Sequence, residues 1–229
     1  MKQPILKPVK CVAVITALLM LVSLHSTAEI IDRVVANVNG HVVLQSDWEQ
    51  ELSFESFSDG RDSNSFSKAE KSAALDRLID QELLREQLRP GQSVPSQQVA
   101  DRVAEVRKLH PEGATAAGWQ AALQRCGLTQ SSLERRLAEQ LQLMKLVEER
   151  LRPSVQIDQS AVEAYYNEQL LPEMKRAGNN AAPLVEVSGH IKDLLVEKKM
   201  NELLSGWLAS LRSTSEIVSP DSSLGERNR

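Results

Sequence analysis

Two β-branched runs, Ile30–Val38 and His41–Leu44, flank the pair Asn39-Gly40. Both residues of that pair tolerate positive φ, so the segment predicts a two-residue type I′ hairpin. A lone two-stranded hairpin is marginal in water. It demands a third strand or a helix to cover it, and this demand constrains the fold more than any other feature of the chain. The remaining sequence is rich in Leu, Ala, Glu, Gln and Arg and poor in aromatics (three Phe, three Trp, two Tyr), a composition that favours helices. Val155-Gln156-Ile157 is a brief extended piece, and Glu216-Ile217-Val218 is suited to be the missing strand. The expectation is a mainly α fold in which a small β hairpin is closed by a C-terminal strand.

The residues ahead of the hairpin read as a leader. Lys2, Lys7 and Lys10 precede an uncharged apolar run, Cys11–Leu24, and a small-x-small site at Ser26-Thr27-Ala28. This is the layout of a secretory signal peptide, with an uncleaved anchor as the alternative. The apolar run is short of the roughly 20 residues a membrane-spanning helix needs. Removing 28 of the 229 residues leaves 201, and losing three lysines moves the net charge from −4 to −7. A negative mature chain argues against nucleic acid and anionic membrane surfaces as partners. No later stretch is apolar enough to span a membrane, so no stable membrane insertion of the mature chain is expected. Cys11 leaves with the leader, so Cys126 has no intramolecular disulfide partner.

Helix signals fill the rest. Ser46-Asp47-Trp48-Glu49 has capping-box spacing and predicts a first helix from Asp47 to about Phe57. Ser58–Ser67 is a polar loop. Ser67 and Glu70 repeat the box and open a second helix with Leu75, Leu78, Ile79 and Leu83 on one face and Leu84 and Leu88 on the other, hence buried on two sides. Pro90-Gly91 stops it. Ser96 caps a third helix, Thr115 a short fourth one containing Trp119, and Thr129 a fifth. The fifth carries the stripe Leu133, Leu137, Leu141, Met144, Val147 and Leu151. Asp158 caps a helix through Tyr166 that Pro172 and residues 177–183 break. A last helix runs from about Leu184 to Arg212. Its stripe begins as Val187, Ile191, Leu194 and Leu195, then shifts near Lys198-Lys199 to Met200, Leu203, Leu204, Trp207 and Leu211. A helix whose apolar face rotates must meet different neighbours along its length, or kink.

Catalytic patterns are missing: the sequence has no nucleophile elbow, P-loop, dinucleotide fingerprint, zinc-protease pair or CxxC. His41, His110 and His190 stand in no ligand spacing, so no metal and no cofactor are expected. Cys126 reads as a small buried residue rather than a reactive thiol. Glu148-Glu149-Arg150 and Glu197-Lys198-Lys199 read as solvated helix faces. A chain without visible chemistry points to binding, which needs apolar surface the core does not consume. One candidate surface is Phe54, Phe57 and Phe66; the plainer alternative is that these rings pack on the second helix. The other is Trp119, Met144, Met200 and Trp207, types that make adaptable contacts but at helical spacing also suit a core.

The order of elements resembles the SurA family of periplasmic chaperones and, more loosely, foldases of the PpiD and PrsA type. The likeness begins at Ile31-Asp32-Arg33-Val34-Val35-Ala36-Asn37-Val38-Asn39-Gly40 and its continuation to Asp47. It continues through Ala74-Leu75-Asp76-Arg77-Leu78-Ile79-Asp80-Gln81-Glu82-Leu83-Leu84, Val94–Val103 and Leu128–Ile157, and closes with Trp207–Arg212 and Ile217-Val218. The ordered set carries the resemblance, since no single motif is diagnostic. It implies a SurA-like helical chaperone module over 29–157, completed by a C-terminal helix and strand over 184–220, with a polar tail at 221–229. Family members usually insert parvulin-type prolyl isomerase domains, each of roughly 90–100 residues. Here Tyr165-Tyr166 resembles the helix before that insertion, Leu184 begins the helix after it, and residues 158–183 form a remnant linker too short to house one. The resemblance therefore implies an ATP-independent holdase, not an enzyme, whose partners are unfolded secreted polypeptides such as outer-membrane protein precursors. A divergent peptidyl-prolyl isomerase and a structural adaptor for one envelope partner are the competing readings.

Overall fold

The computed structural model describes residues 32–61, 66–178 and 182–219; the leader read from Met1–Ala28 and the tail at 221–229 lie outside them. The hairpin forms as the sequence requires. β1 (Val34–Val38) and β2 (His41–Leu44) are antiparallel, and the turn residues Asn39 and Gly40 hold φ of 51° and 91°, as a type I′ turn needs. The demanded third strand is present. β3 (Ile217–Val218) pairs with the other side of β1, Asn37 opposite Val218 and Val38 opposite Ile217, giving the order β2–β1–β3. Asn39 fastens this closure: its N–H reaches the Glu216 carbonyl at 2.9 Å, and its side-chain oxygen accepts from the Glu216 N–H at 2.8 Å.

Helices make up the rest: α1 (Gln45–Ser58), α2 (Lys68–Arg85), α3 (Ser96–Lys108), α4 (Ala116–Arg125), α5 (Gln130–Leu151), α6 (Gln159–Tyr165), α7 (Leu171–Arg176) and α8 (Leu184–Thr214). Their starts follow side-chain caps. Ser67 and Glu70 form the reciprocal box at α2 (2.8 and 3.2 Å). Thr115 accepts from Gly118 N–H, Thr129 from Ser132 N–H, and Asp158 from Ala161 N–H. Thr129→Ala removes the side-chain cap of the longest core-packing helix. It is expected to cost about 1 kcal/mol of stability, measurable as a lower urea midpoint.

Several boundaries differ from the sequence reading. α1 starts at Gln45 rather than Asp47, because the Asp47 carboxylate accepts the Leu44 N–H at 3.0 Å and so serves as the third residue of the helix. α2 ends at Arg85, before Pro90-Gly91. The chain there tightens into i→i+3 bonds, Gln87 to Leu84 and Leu88 to Arg85. Pro95, not Ser96, precedes α3. Pro172 does not break its helix. Residues Tyr166–Leu170 form a π turn, with the Leu171 N–H bonded to the Tyr166 carbonyl, and the wider turn carries the chain into α7, where Pro172 sits in the first turn and has no N–H to lose. On α5, Leu143 is buried while Met144 is exposed, because the lower half of the helix turns from α3 toward α2 and α8.

Two buried clusters organise the molecule. One joins α1, α3, α4 and α5 through Phe54, Phe57, Val106, Trp119, Leu133 and Leu137. The other places Ile79 and Leu83 of α2 under the sheet, against Ala36, Val38 and Val43. Leu84 is buried as well, on the opposite side, so α2 is covered on two faces as its sequence pattern required. The last helix is different. Of its 31 residues only Ile191 is buried. Arg212 near its end bonds Asp80 at 2.7 Å and the Asp76 carbonyl at 3.0 Å, tying α8 to α2 beside the sheet.

Candidate functional site

The rotating stripe of α8 builds an open groove. Its second half lies across α5 and the end of α2, and Leu84, Leu143, Met144, Val147, Val196, Met200 and Leu204 line a cavity of about 600 Å³ between them. The rim is polar: Glu148, held by Arg152 at 3.4 Å, faces Asp193 and Glu197. Met144 is 60% exposed, although its neighbours on α5 contribute to the core. A long unbranched side chain on the wall of an apolar channel adapts to many shapes, and its exposure costs free energy unless a partner covers it.

Of the seven residues expected to form contact surface, the groove unites two, Met144 and Met200. Phe54, Phe57 and Trp119 are 4%, 1% and 5% exposed, so the expectation of open surface at these rings does not hold. Phe54 and Phe57 share their buried cluster with residues of α3, α4 and α5. Phe57 stacks on His110 at 4.1 Å and meets Trp119 at 5.4 Å, because α1 faces the α3–α4 connection. Phe66 is half-buried just ahead of α2 and lies away from the groove. Trp207 is half-buried one turn beyond Leu204, with the Arg150 guanidinium 4.7 Å over its ring; it fastens α5 to α8 instead of lining the channel. Leu84, Leu143, Val147, Val196 and Leu204 were the missed members. Leu84 stood in the two-sided pattern of α2, Val147 in the stripe of α5 and Leu204 in the shifted stripe of α8, whereas Leu143 and Val196 lay outside every stripe.

A second cavity, of about 800 Å³, lies between β2, α1, α2 and α5 and is polar. At its base Glu51 is buried, a carboxylate the surface reading of the acidic residues did not anticipate. It accepts from Gln81 at 3.0 Å and from Arg136 at 2.7 Å. Burial pushes its carboxyl above the ordinary glutamate value, opposed by those two partners. Both states are neutral at low pH. As pH rises, the unfolded chain releases its proton first, so Glu51 contributes most stability in acid and loses it as pH rises through its raised native value. The stability of the wild type relative to Glu51→Gln should therefore increase from pH 8 to pH 5, as read by urea unfolding at both values. Glu55 is clamped by Arg77, with Nε–Oε1 at 2.6 Å. These pairs satisfy one another. Among the described residues no group of three or more His, Cys, Asp and Glu side chains suits a metal ion, and no helix is long and apolar enough to cross a membrane.

A mainly helical body thus carries an open apolar groove and, beside it, a polar cleft whose carboxylates are all engaged. The SurA-like N-terminal domain family matches residues 2–147. The chain belongs to that family, whose domain is a chaperone-type module rather than a catalytic one and whose members are typically periplasmic. No curated protein matches the chain. The family match ends at Val147, within α5, so the α8 wall of the groove lies beyond it.

Proposed function

We propose that this protein is an ATP-independent periplasmic holdase. It binds apolar segments of unfolded secreted polypeptides, outer-membrane protein precursors among them, in the groove between α2, α5 and α8. The observation that carries this reading is the open channel itself: about 600 Å³ walled by aliphatic and methionine side chains, with Met144 left largely in water. Adaptable methionines suit clients that differ in sequence. Binding and release need no energy source, in keeping with a sequence that has no P-loop. The isomerase reading lacks a home for its domain, since residues 159–176 form α6, the π turn and α7 in continuous succession and α8 begins at Leu184.

The test is light scattering by a urea-denatured outer-membrane β-barrel protein diluted into buffer. A stoichiometric amount of this protein is expected to suppress aggregation, without nucleotide. Unchanged scattering at several-fold excess would sink the proposal. A protease-coupled proline-peptide assay run in parallel is expected to stay at the uncatalysed rate.

A further inference from the structure

The sheet has an outer edge that opens onto the polar cavity. β2 is the outermost strand on that side. The direction of its backbone groups follows from the far side of β1. The Asn39 N–H points to β3, where it meets Glu216. Backbone groups alternate along a strand, so Asn37 also faces β3 and Val38 faces β2. Val42 stands opposite Asn37. Its N–H and C=O therefore point away from β1, and neither has a partner among the described residues. The next N–H, that of Leu44, is taken by Asp47. His41, Val42 and Val43 all line the 800 Å³ cavity, so the free donor–acceptor pair of Val42 faces a space large enough for a peptide segment.

The charges of that space are unequal in availability. Each lining carboxylate is already engaged by an arginine of the cavity or, for Asp47, by a backbone N–H. The arginines are not all so engaged. Arg135 on α5 has no partner among the described residues, and the partner of Arg102, Glu105, stands outside the lining. The unspent charge is the Arg135 guanidinium, since Arg102 is held by Glu105 at 2.9 Å, and the unspent backbone pair is that of a strand edge.

We propose that the β2 edge and its cavity are a second docking site, for an extended polypeptide segment that carries an acidic side chain. The segment adds to Val42 through its backbone, and its carboxylate is drawn to Arg135. Strand addition supplies affinity through main-chain bonds and specificity through the adjoining side chains. The polar lining offers hydrogen-bond partners to a peptide backbone. This site adjoins the apolar groove, with Gln81, Gln140 and Leu143 lining both, but Val42 and Arg135 belong to it alone and Met144 and Met200 to the groove alone.

The probe is a fluorescein-labelled Thr-Val-Glu repeat peptide, titrated against the full chain by anisotropy. Binding is expected, with slowed hydrogen exchange at the Val42 amide. A Lys-for-Glu version of the peptide should bind about tenfold more weakly, as should the Arg135→Glu protein. Val42→Pro deletes the outward N–H without removing a ladder bond and should weaken binding about tenfold. The groove variant Met144→Asp/Met200→Asp should leave the peptide's affinity unchanged, while Val42→Pro should leave aggregation suppression unchanged. Binding that ignores both Val42→Pro and Arg135→Glu would overturn the proposal, as would a Val42 amide that exchanges at the same rate with and without peptide. Displacement of the peptide by equimolar inorganic phosphate would show an anion site only, and also overturns it. Should Val42→Pro fail to fold by circular dichroism, Val42 exchange in the wild type decides.

Discussion

Phe57→Ala is expected to lower the unfolding free energy by about 3–5 kcal/mol, the largest loss of any single substitution considered. Phe57 is 1% exposed and is the point where three segments meet. Its ring stacks on His110 and tilts against Trp119, and its carbonyl pairs with His110 Nε2 at 2.8 Å. Truncation opens a cavity bounded by these rigid rings, which cannot collapse into it, so the transfer loss and the cavity loss add. A domain of this size holds only about 5–15 kcal/mol in total, so the variant should sit near its stability threshold. Urea unfolding of wild type, Phe57→Ala and Phe57→Leu measures the effect, and the leucine variant should retain most of the stability. A loss below about 1 kcal/mol for alanine would mean that the ring is not a core element.

The same residue shows how far the sequence can be read. The hairpin, its third strand and most helix starts were legible because each rests on local chemistry: a turn that needs positive φ at Asn39 and Gly40, an oxygen at Ser67, Thr115, Thr129 or Asp158 that meets a nearby N–H. The closing strand was legible for a different reason. A two-stranded hairpin demands cover, and Glu216–Val218 was a segment that could supply it. Phe54 and Phe57 were not legible. Their spacing says that they share a face of α1, but what that face meets depends on the α3–α4 connection some fifty residues away. Pro172 was misread because a π turn one step upstream relieves what proline would otherwise break. Glu51 looks like any surface glutamate until Gln81 and Arg136 arrive from two other helices. The groove falls between these extremes. The stripe shift on α8 announced a change of neighbours near Lys198, yet the floor it creates combines residues from 84 to 204 in the chain, and only the fold brings them together.

Met144→Asp/Met200→Asp is expected to abolish most of the aggregation suppression while leaving the fold intact. The two side chains stand on opposite walls of the groove, one on α5 and one on α8. Covering a methionine with a client contributes about 1.5–3 kcal/mol, and each 1.4 kcal/mol is a factor of ten in affinity. Losing one such contact therefore weakens binding about tenfold, and losing both about a hundredfold. The new carboxylates add a further penalty, because an apolar client segment must desolvate them and because Asp193 and Glu197 already place negative charge on the rim. Stability should change little: Met144 is 60% exposed and Met200 only half-buried, so neither aspartate is forced into the core. The comparison with Phe57→Ala separates fold from function. The phenylalanine variant should lose stability but, where folded, suppress aggregation per molecule as well as wild type. The methionine variant should unfold at nearly the wild-type urea concentration and fail to suppress. Full suppression by the methionine variant would place client binding elsewhere on the molecule, since the two aspartates put charge in place of the methionines that line the channel.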